Sequence, residues 1–163
     1  MNKPMSVNAE TGLHDLVIQR ESDSANLPAD ESIDRWVQVA TVDTPGASLV
    51  LRIVDETEGR DLNRRWRERD QATNVLSFPA DLPEDTGLEF LGDIVLCAPV
   101  IEREAREQGK PLEWHWAHLV IHGILHLQGF DHMTAEQAKE MESREIDLLR
   151  TLDIANPYEP DED

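Results

Sequence analysis

Hydrophobic positions along the chain fall into short blocks whose spacing changes from one block to the next. Leu16-Val17-Ile18 is a compact apolar run and predicts a short strand, with a polar loop over Glu21–Asn26 behind it. Pro28-Ala29-Asp30 opens a helix in which Ile33, Trp36, Val37 and Ala40 recur at helical spacing and share one face. After the Pro45-Gly46 turn, Ser48–Val54 alternates partly and predicts a strand, and a charged helix follows over Glu56–Arg67. Thr73–Phe78 is extended and stopped by Pro79, and residues 80–90 read as an acidic loop. Gly92–Ala98 is an apolar strand suited to the middle of a sheet. Pro99 sits where proline is tolerated, in the first turn of a helix that runs to Gln108 and ends at Gly109-Lys110-Pro111. Leu112–Gln128 is a long apolar helix rich in histidine, and Thr134 with Gln137 predicts a capping box for a last helix to about Leu149.

No segment repeats and no linker divides the chain. The expectation is one α/β (α+β) domain over residues 13–155, a mixed central β-sheet packed with helices. Residues 1–12 form a loose lead-in and residues 156–163 an acidic tail that frays from Pro157. At 163 residues, with 39% hydrophobic and 30% charged, the chain can bury a substantial core. No apolar run approaches the ~20 residues of a membrane span, and Met1–Glu10 lacks the basic head and apolar stretch of a signal peptide. The single cysteine, Cys97, makes no internal disulfide, so a cytoplasmic protein is expected. The balance 15 − 34 = −19 argues against a generic electrostatic binder of nucleic acid.

Five of the six histidines lie within residues 115–132. Four residues of helix turn about 400° and rise roughly 6 Å, so His122 and His126 point the same way one turn apart. Gly129 can end the helix and let the chain reverse, bringing His132 back as a third ligand. This is the H-x-x-x-H-x-x-G-x-x-H spacing of metzincin zinc ligands. Three neutral imidazoles leave a tetrahedral zinc one open position, the arrangement of catalytic rather than structural sites. Nickel or cobalt would also fit such a site. Alone on an apolar helix a histidine is usually a satisfied core group; two at this spacing, a glycine turn and a third make a ligand set. His118 shares the stripe and is either a substrate-facing group, a support for the ligands, or structural. His115 and His14 read as ordinary, and Trp114 and Trp116 as packing residues. A zinc peptidase places glutamate directly after the first ligand as general base; here that residue is Gly123, which makes a metallopeptidase or amidohydrolase the secondary reading.

Arg60, Arg64, Arg65, Arg67 and Arg69 stand against only Asp61 and Glu68 in the same window, a local balance of 5 − 2 = +3. Most of such a cluster is ordinarily a solvated helix face. Guanidinium forks nevertheless match phosphate oxygens, and beside a hydrolytic metal they suggest a phosphodiester substrate.

Several stretches taken together resemble one family. They are Leu62-Asn63 with Arg67 and Asp70, Thr73-Asn74-Val75-Leu76-Ser77-Phe78-Pro79, Leu91-Gly92-Asp93-Ile94, His115-Trp116-Ala117-His118, the His122–His132 run and Asn156-Pro157-Tyr158. From about residue 50 to 158 the chain resembles the YbeY family of bacterial rRNA maturation factors and single-strand endoribonucleases. The resemblance implies a mixed sheet packed with helices and one zinc per chain on His122, His126 and His132. It also implies RNA as substrate, the 16S rRNA 3′ end in particular, and work with the small ribosomal subunit and its proteins in ribosome quality control. Arg67 matches the family arginine associated with activity, and the expected mechanism sets it against the charge of the phosphoryl transition state, with His118 as a possible helper in proton transfer. Asn74 stands where relatives often carry aspartate, so it receives no carboxylate role. A ribosome-assembly factor with purely structural zinc is the non-enzymatic alternative.

The charge is also uneven. Residues 133–163 hold ten acids against three bases, 3 − 10 = −7, while residues 60–69 stand at +3. A whole-chain balance excludes a general polyanion binder and leaves room for a local RNA site of modest, salt-sensitive affinity.

Overall fold

In the computed structural model, residues 15–44, 46–80 and 90–158 are described. The lead-in, His14, residues 81–89 of the acidic loop and residues 159–163 of the tail lie outside them. Four strands form one sheet: β1 (Asp15–Glu21), β2 (Ser48–Val54), β3 (Val75–Pro79) and β4 (Phe90–Cys97). Their order is β1-β2-β4-β3, with β1, β2 and β4 parallel and β3 antiparallel at the edge. Parallel neighbours need crossover connections, and α1 (Asp30–Ala40) supplies the one between β1 and β2. The remaining helices are α2 (Glu56–Arg67), α3 (Ala98–Gln108), α4 (Leu112–Leu127) and α5 (Ala135–Thr151).

The expected mixed sheet and its helices are therefore present, with small shifts at element ends. β1 is longer than its apolar run, because Gln19 to Glu21 still pair with Arg52 to Val54. Pro79 does not stop β3 but is its last residue, opposite Gly92; an edge strand tolerates proline on its unpaired side. Ala98 opens α3 rather than closing β4. The capping box at Thr134 and Gln137 forms in both directions.

Leu49, Leu51 and Ile53 of β2, with Ile94 and Leu96 of β4, face the larger core, where Ile33 and Trp36 of α1 meet Ile121, Ile124 and Leu125 of α4. Val54, Val95 and Cys97 face the opposite side, where α2 rests through Leu62. Fully burying an aliphatic side chain is worth about 1.5–3 kcal/mol, so the ten buried residues of α4 fix that helix at the centre. Glu113 and Trp114 are exposed at its start, and His118, His122 and His126 are partly buried. No helix of the described residues is long and apolar enough to cross a membrane.

Candidate metal centre and active-site cleft

At its C-terminal end α4 leaves the core, and the chain reverses at Gly129, whose φ of 104° suits glycine. The reversal brings His132 back over the helix. The rings of His122 and His126 lie 4.7 Å apart, and that of His132 lies 5.8 Å and 5.0 Å from them. One ligand atom from each of the three lies within 4.8 Å of the other two, close enough to hold one ion.

Hydrogen bonds orient the two helical ligands. The Nδ1–H of His126 donates to the Phe130 carbonyl at 3.0 Å, and the Nδ1–H of His122 donates to Glu145 of α5. Each bond leaves Nε2 bare as the ligand atom. Burial, reinforced by His122 and His132, lowers the His126 pKa and so favours the neutral ring a metal needs. The residues present thus fit a divalent cation. His118, His122 and Glu145 also converge within 4.8 Å, but the hydrogen bonds among them account for that closeness.

Glu145 is completely buried. Burial alone would raise its carboxyl, yet hydrogen bonds from His118 and His122 outweigh it and hold the pKa at about 2. His118 reaches it through Nε2 at 3.3 Å, and the Tyr158 hydroxyl donates to the same oxygen. Burial and the Glu145 carboxylate push the Tyr158 hydroxyl up, so it keeps its proton. His118 therefore stands behind the ligands on Glu145 and does not line the cleft, which favours the supporting role among those its position on the stripe allowed. Neither Glu145 nor Tyr158 is visible as a site residue in the pattern. The available signal was an acid on the apolar stripe of α5, four residues after Met141 and three before Leu148.

A cleft of about 490 Å³ lies in front of the three histidines, walled opposite by Arg67, Asn74 and the β3 edge. The basic cluster divides sharply here. Arg60 is clasped by Asp70 at 2.8 and 3.1 Å, and Arg64 and Arg65 share Asp61 at 2.9 and 3.4 Å on the exposed face of α2. Of the five, only Arg67 lines the cleft. Its guanidinium donates to the Ser77 carbonyl at 2.6 Å and lies 4.9 Å from the centre of the Phe78 ring. Buried Asn63 shapes the turn behind it, donating from Nδ2 to the Gln71 carbonyl at 2.8 Å. Ser77 in turn donates to the carbonyl of Gly123 on α4 at 3.1 Å, so one short relay ties Arg67 to the histidine helix. Cys97 takes no part, since burial pushes its thiol up to about 11.

The model of the endoribonuclease YbeY family matches residues 17–153. The chain belongs to this family. The YbeY match takes in the three histidines, Arg67 and Glu145 but ends before Tyr158. An endoribonuclease YbeY from Pseudomonas entomophila is 53% identical over 150 residues, covering 91% of this chain and 95% of that one. Those from Methylococcus capsulatus and Cellvibrio japonicus are each 51% identical over 144 residues, covering 88% and 87% of this chain and 95% and 81% of theirs. A solution structure of a protein from Thermotoga maritima shares the fold, with a TM-score of 0.54 and 24% identity over 88% of this chain and 100% of that one.

Proposed function

We propose that the chain is a zinc-dependent endoribonuclease that cuts single-stranded RNA and serves in 16S rRNA 3′-end maturation and ribosome quality control. Membership of the YbeY family makes it an endoribonuclease, a hydrolase acting in rRNA processing. The observation that carries the finer reading is the meeting of three imidazoles and the Arg67 guanidinium across one cleft. His122, His126 and His132 would hold a divalent cation, which would supply Lewis acidity toward a phosphoryl oxygen and a water. Three imidazole ligands are a donor set that would suit zinc with a position left open for catalysis.

Arg67 has five N–H donors; the carbonyls of Ser77 and Trp66 engage two and fix its plane, leaving the others for phosphate oxygens. Charge accumulating on those oxygens in the transition state is stabilised without reorganisation. The guanidinium offers donors and no acceptor, so it does not serve as the base. Glu145 holds His122 in the ligating tautomer, and His118 and Tyr158 hold Glu145, so His118 acts on the ligand set and not on substrate. Cytoplasmic location and docking on the small ribosomal subunit complete the reading. With −19 overall and positive charge concentrated in residues 60–69, an oriented partner supplies the affinity that bulk charge does not.

Arg67→Ala is expected to keep its metal and lose about 10²–10³ in RNA cleavage rate, the usual loss when one transition-state donor is removed. Cleavage at the wild-type rate by protein of verified metal content would refute the role, and a peptide-cleavage assay run alongside tests the peptidase alternative. Glu145→Gln is expected to weaken metal affinity by about 10- to 100-fold, as loss of a ligand-orienting carboxylate typically does. Competition against a fluorescent chelator measures it, and unchanged affinity would remove Glu145 from the site.

A further inference from the structure

Resting on the reading of the cleft as an RNA site, we propose that Asn74 recognises the ribose 2′-hydroxyl through its side-chain carbonyl oxygen, held in place by Glu104. Asn74 immediately precedes β3, and its backbone carbonyl accepts from Cys97 N–H at 3.0 Å, which extends the β3–β4 ladder and fixes where the side chain starts. Its Nδ2 donates to Glu104 of α3, at 3.0 Å to Oε1 and 3.4 Å to Oε2. The same Oε1 lies 2.8 Å from Nε2 of His115 on α4. His115 is buried, and burial lowers its pKa, favouring a neutral ring with one N–H. Its buried Nδ1 has no partner among the described residues, so that N–H sits on Nε2 and donates to Glu104. Two donors from two elements thereby hold the carboxylate.

The consequence is directional. A carboxylate oxygen accepts, so the Asn74 amide must turn its nitrogen to Glu104 and its Oδ1 away. Oδ1 has no hydrogen-bond partner among the described residues, and Asn74 lines the cleft with Arg67, His122 and His126. The cleft wall therefore carries a neutral acceptor of fixed direction on the Arg67 side, in addition to the Asp131 carboxylate beside His132. Phosphate oxygens only accept and have no use for it. In an RNA strand whose phosphate meets Arg67, the neighbouring sugar offers a donor, the 2′-hydroxyl, and DNA lacks it.

The test is binding of a short single-stranded RNA and the same-sequence DNA, measured by fluorescence anisotropy on metal-free protein so that neither strand is cut. The wild type should prefer RNA by roughly three- to tenfold, the range of one hydrogen bond. Asn74→Ala should bind RNA only as well as DNA, with DNA affinity unchanged and the thermal melt retained. Asn74→Asp, which sets two carboxylates face to face, should lose the preference as well. Adding Glu104→Gln to it should restore the preference, because the donor and acceptor are then exchanged across the same contact while His115 keeps its acceptor. Equal weakening of both strands by Asn74→Ala, or no weakening of either, overturns the proposal. So does slower cleavage with binding unchanged, which would assign the oxygen to the attacking water. If Arg67→Ala also leaves RNA binding untouched, the cleft itself is not the RNA site, and the reading beneath the proposal fails with it.

Discussion

His126→Ala should give a folded protein that retains no metal and cleaves RNA no faster than background. The half-buried ring lies in the last turn of α4, past the stretch from Trp116 to Leu125 that anchors the helix in the core. Removing it takes one of three ligands and leaves that packing in place. Chelation of the wild type should have the same effect reversibly, with cleavage of a structured RNA returning when zinc is added back. Loss of the ion should also lower stability through linkage, by about 2.7 kcal/mol when free metal had stood at a hundred times its dissociation constant. A purely structural zinc makes the opposite forecast: the circular dichroism of His126→Ala would be that of an unfolded chain. Metal analysis, circular dichroism and cleavage on the same samples separate the two. Activity surviving complete metal removal would overturn the metal-dependent reading altogether.

The parts of this site that could be read from the chain are those governed by local geometry. His122 and His126 lie on one helix at a spacing that fixes their mutual direction, and Gly129 is close enough to forecast the reversal that brings His132 back. The capping box at Thr134 and the strand Ser48–Val54 are local in the same sense. What eluded the pattern depends on packing between distant elements. Glu145 meets His122 only because α5 lies against α4, and among the many acids of α5 it is distinguished by burial alone. Tyr158 belongs to a tail expected to fray, yet it sits against the His118 ring at 5.4 Å. Five arginines in ten residues were equivalent by composition. Asp70 and Asp61 occupy three of them, and the Ser77 carbonyl orients the one that faces the histidines. Charge periodicity could not have made that division, because it turns on where β3 runs relative to the end of α2.

Gly123 brings the peptidase question down to a steric one. The position directly after the first histidine ligand is where a zinc peptidase carries its glutamate base. Here that residue is buried and faces the sheet, and a Cβ on it would stand 3.0 Å from Ile94 Cγ2 and 3.3 Å from Ser77 Oγ. Gly123→Ala should therefore be near neutral to moderately destabilising, since about 1 kcal/mol of helix propensity gained is set against about 1–3 kcal/mol of overpacking. Gly123→Glu has no such offset. It adds a long side chain to the same contact and forces a carboxylate between α4 and β3 at a buried position, a cost of several kcal/mol on top of the clash. Against a total stability of about 5–15 kcal/mol, that sum should leave little folded protein. Any fraction that folds must move α4 off β3, breaking the Ser77–Gly123 bond and with it the support that aims Arg67 at the histidines. Soluble yield and thermal melting measure the first effect, and RNA cleavage by the soluble fraction measures the second. A Gly123→Glu protein that melts like the wild type would show that the helix stands farther from the sheet than this contact requires. It would also reopen the position to a general base.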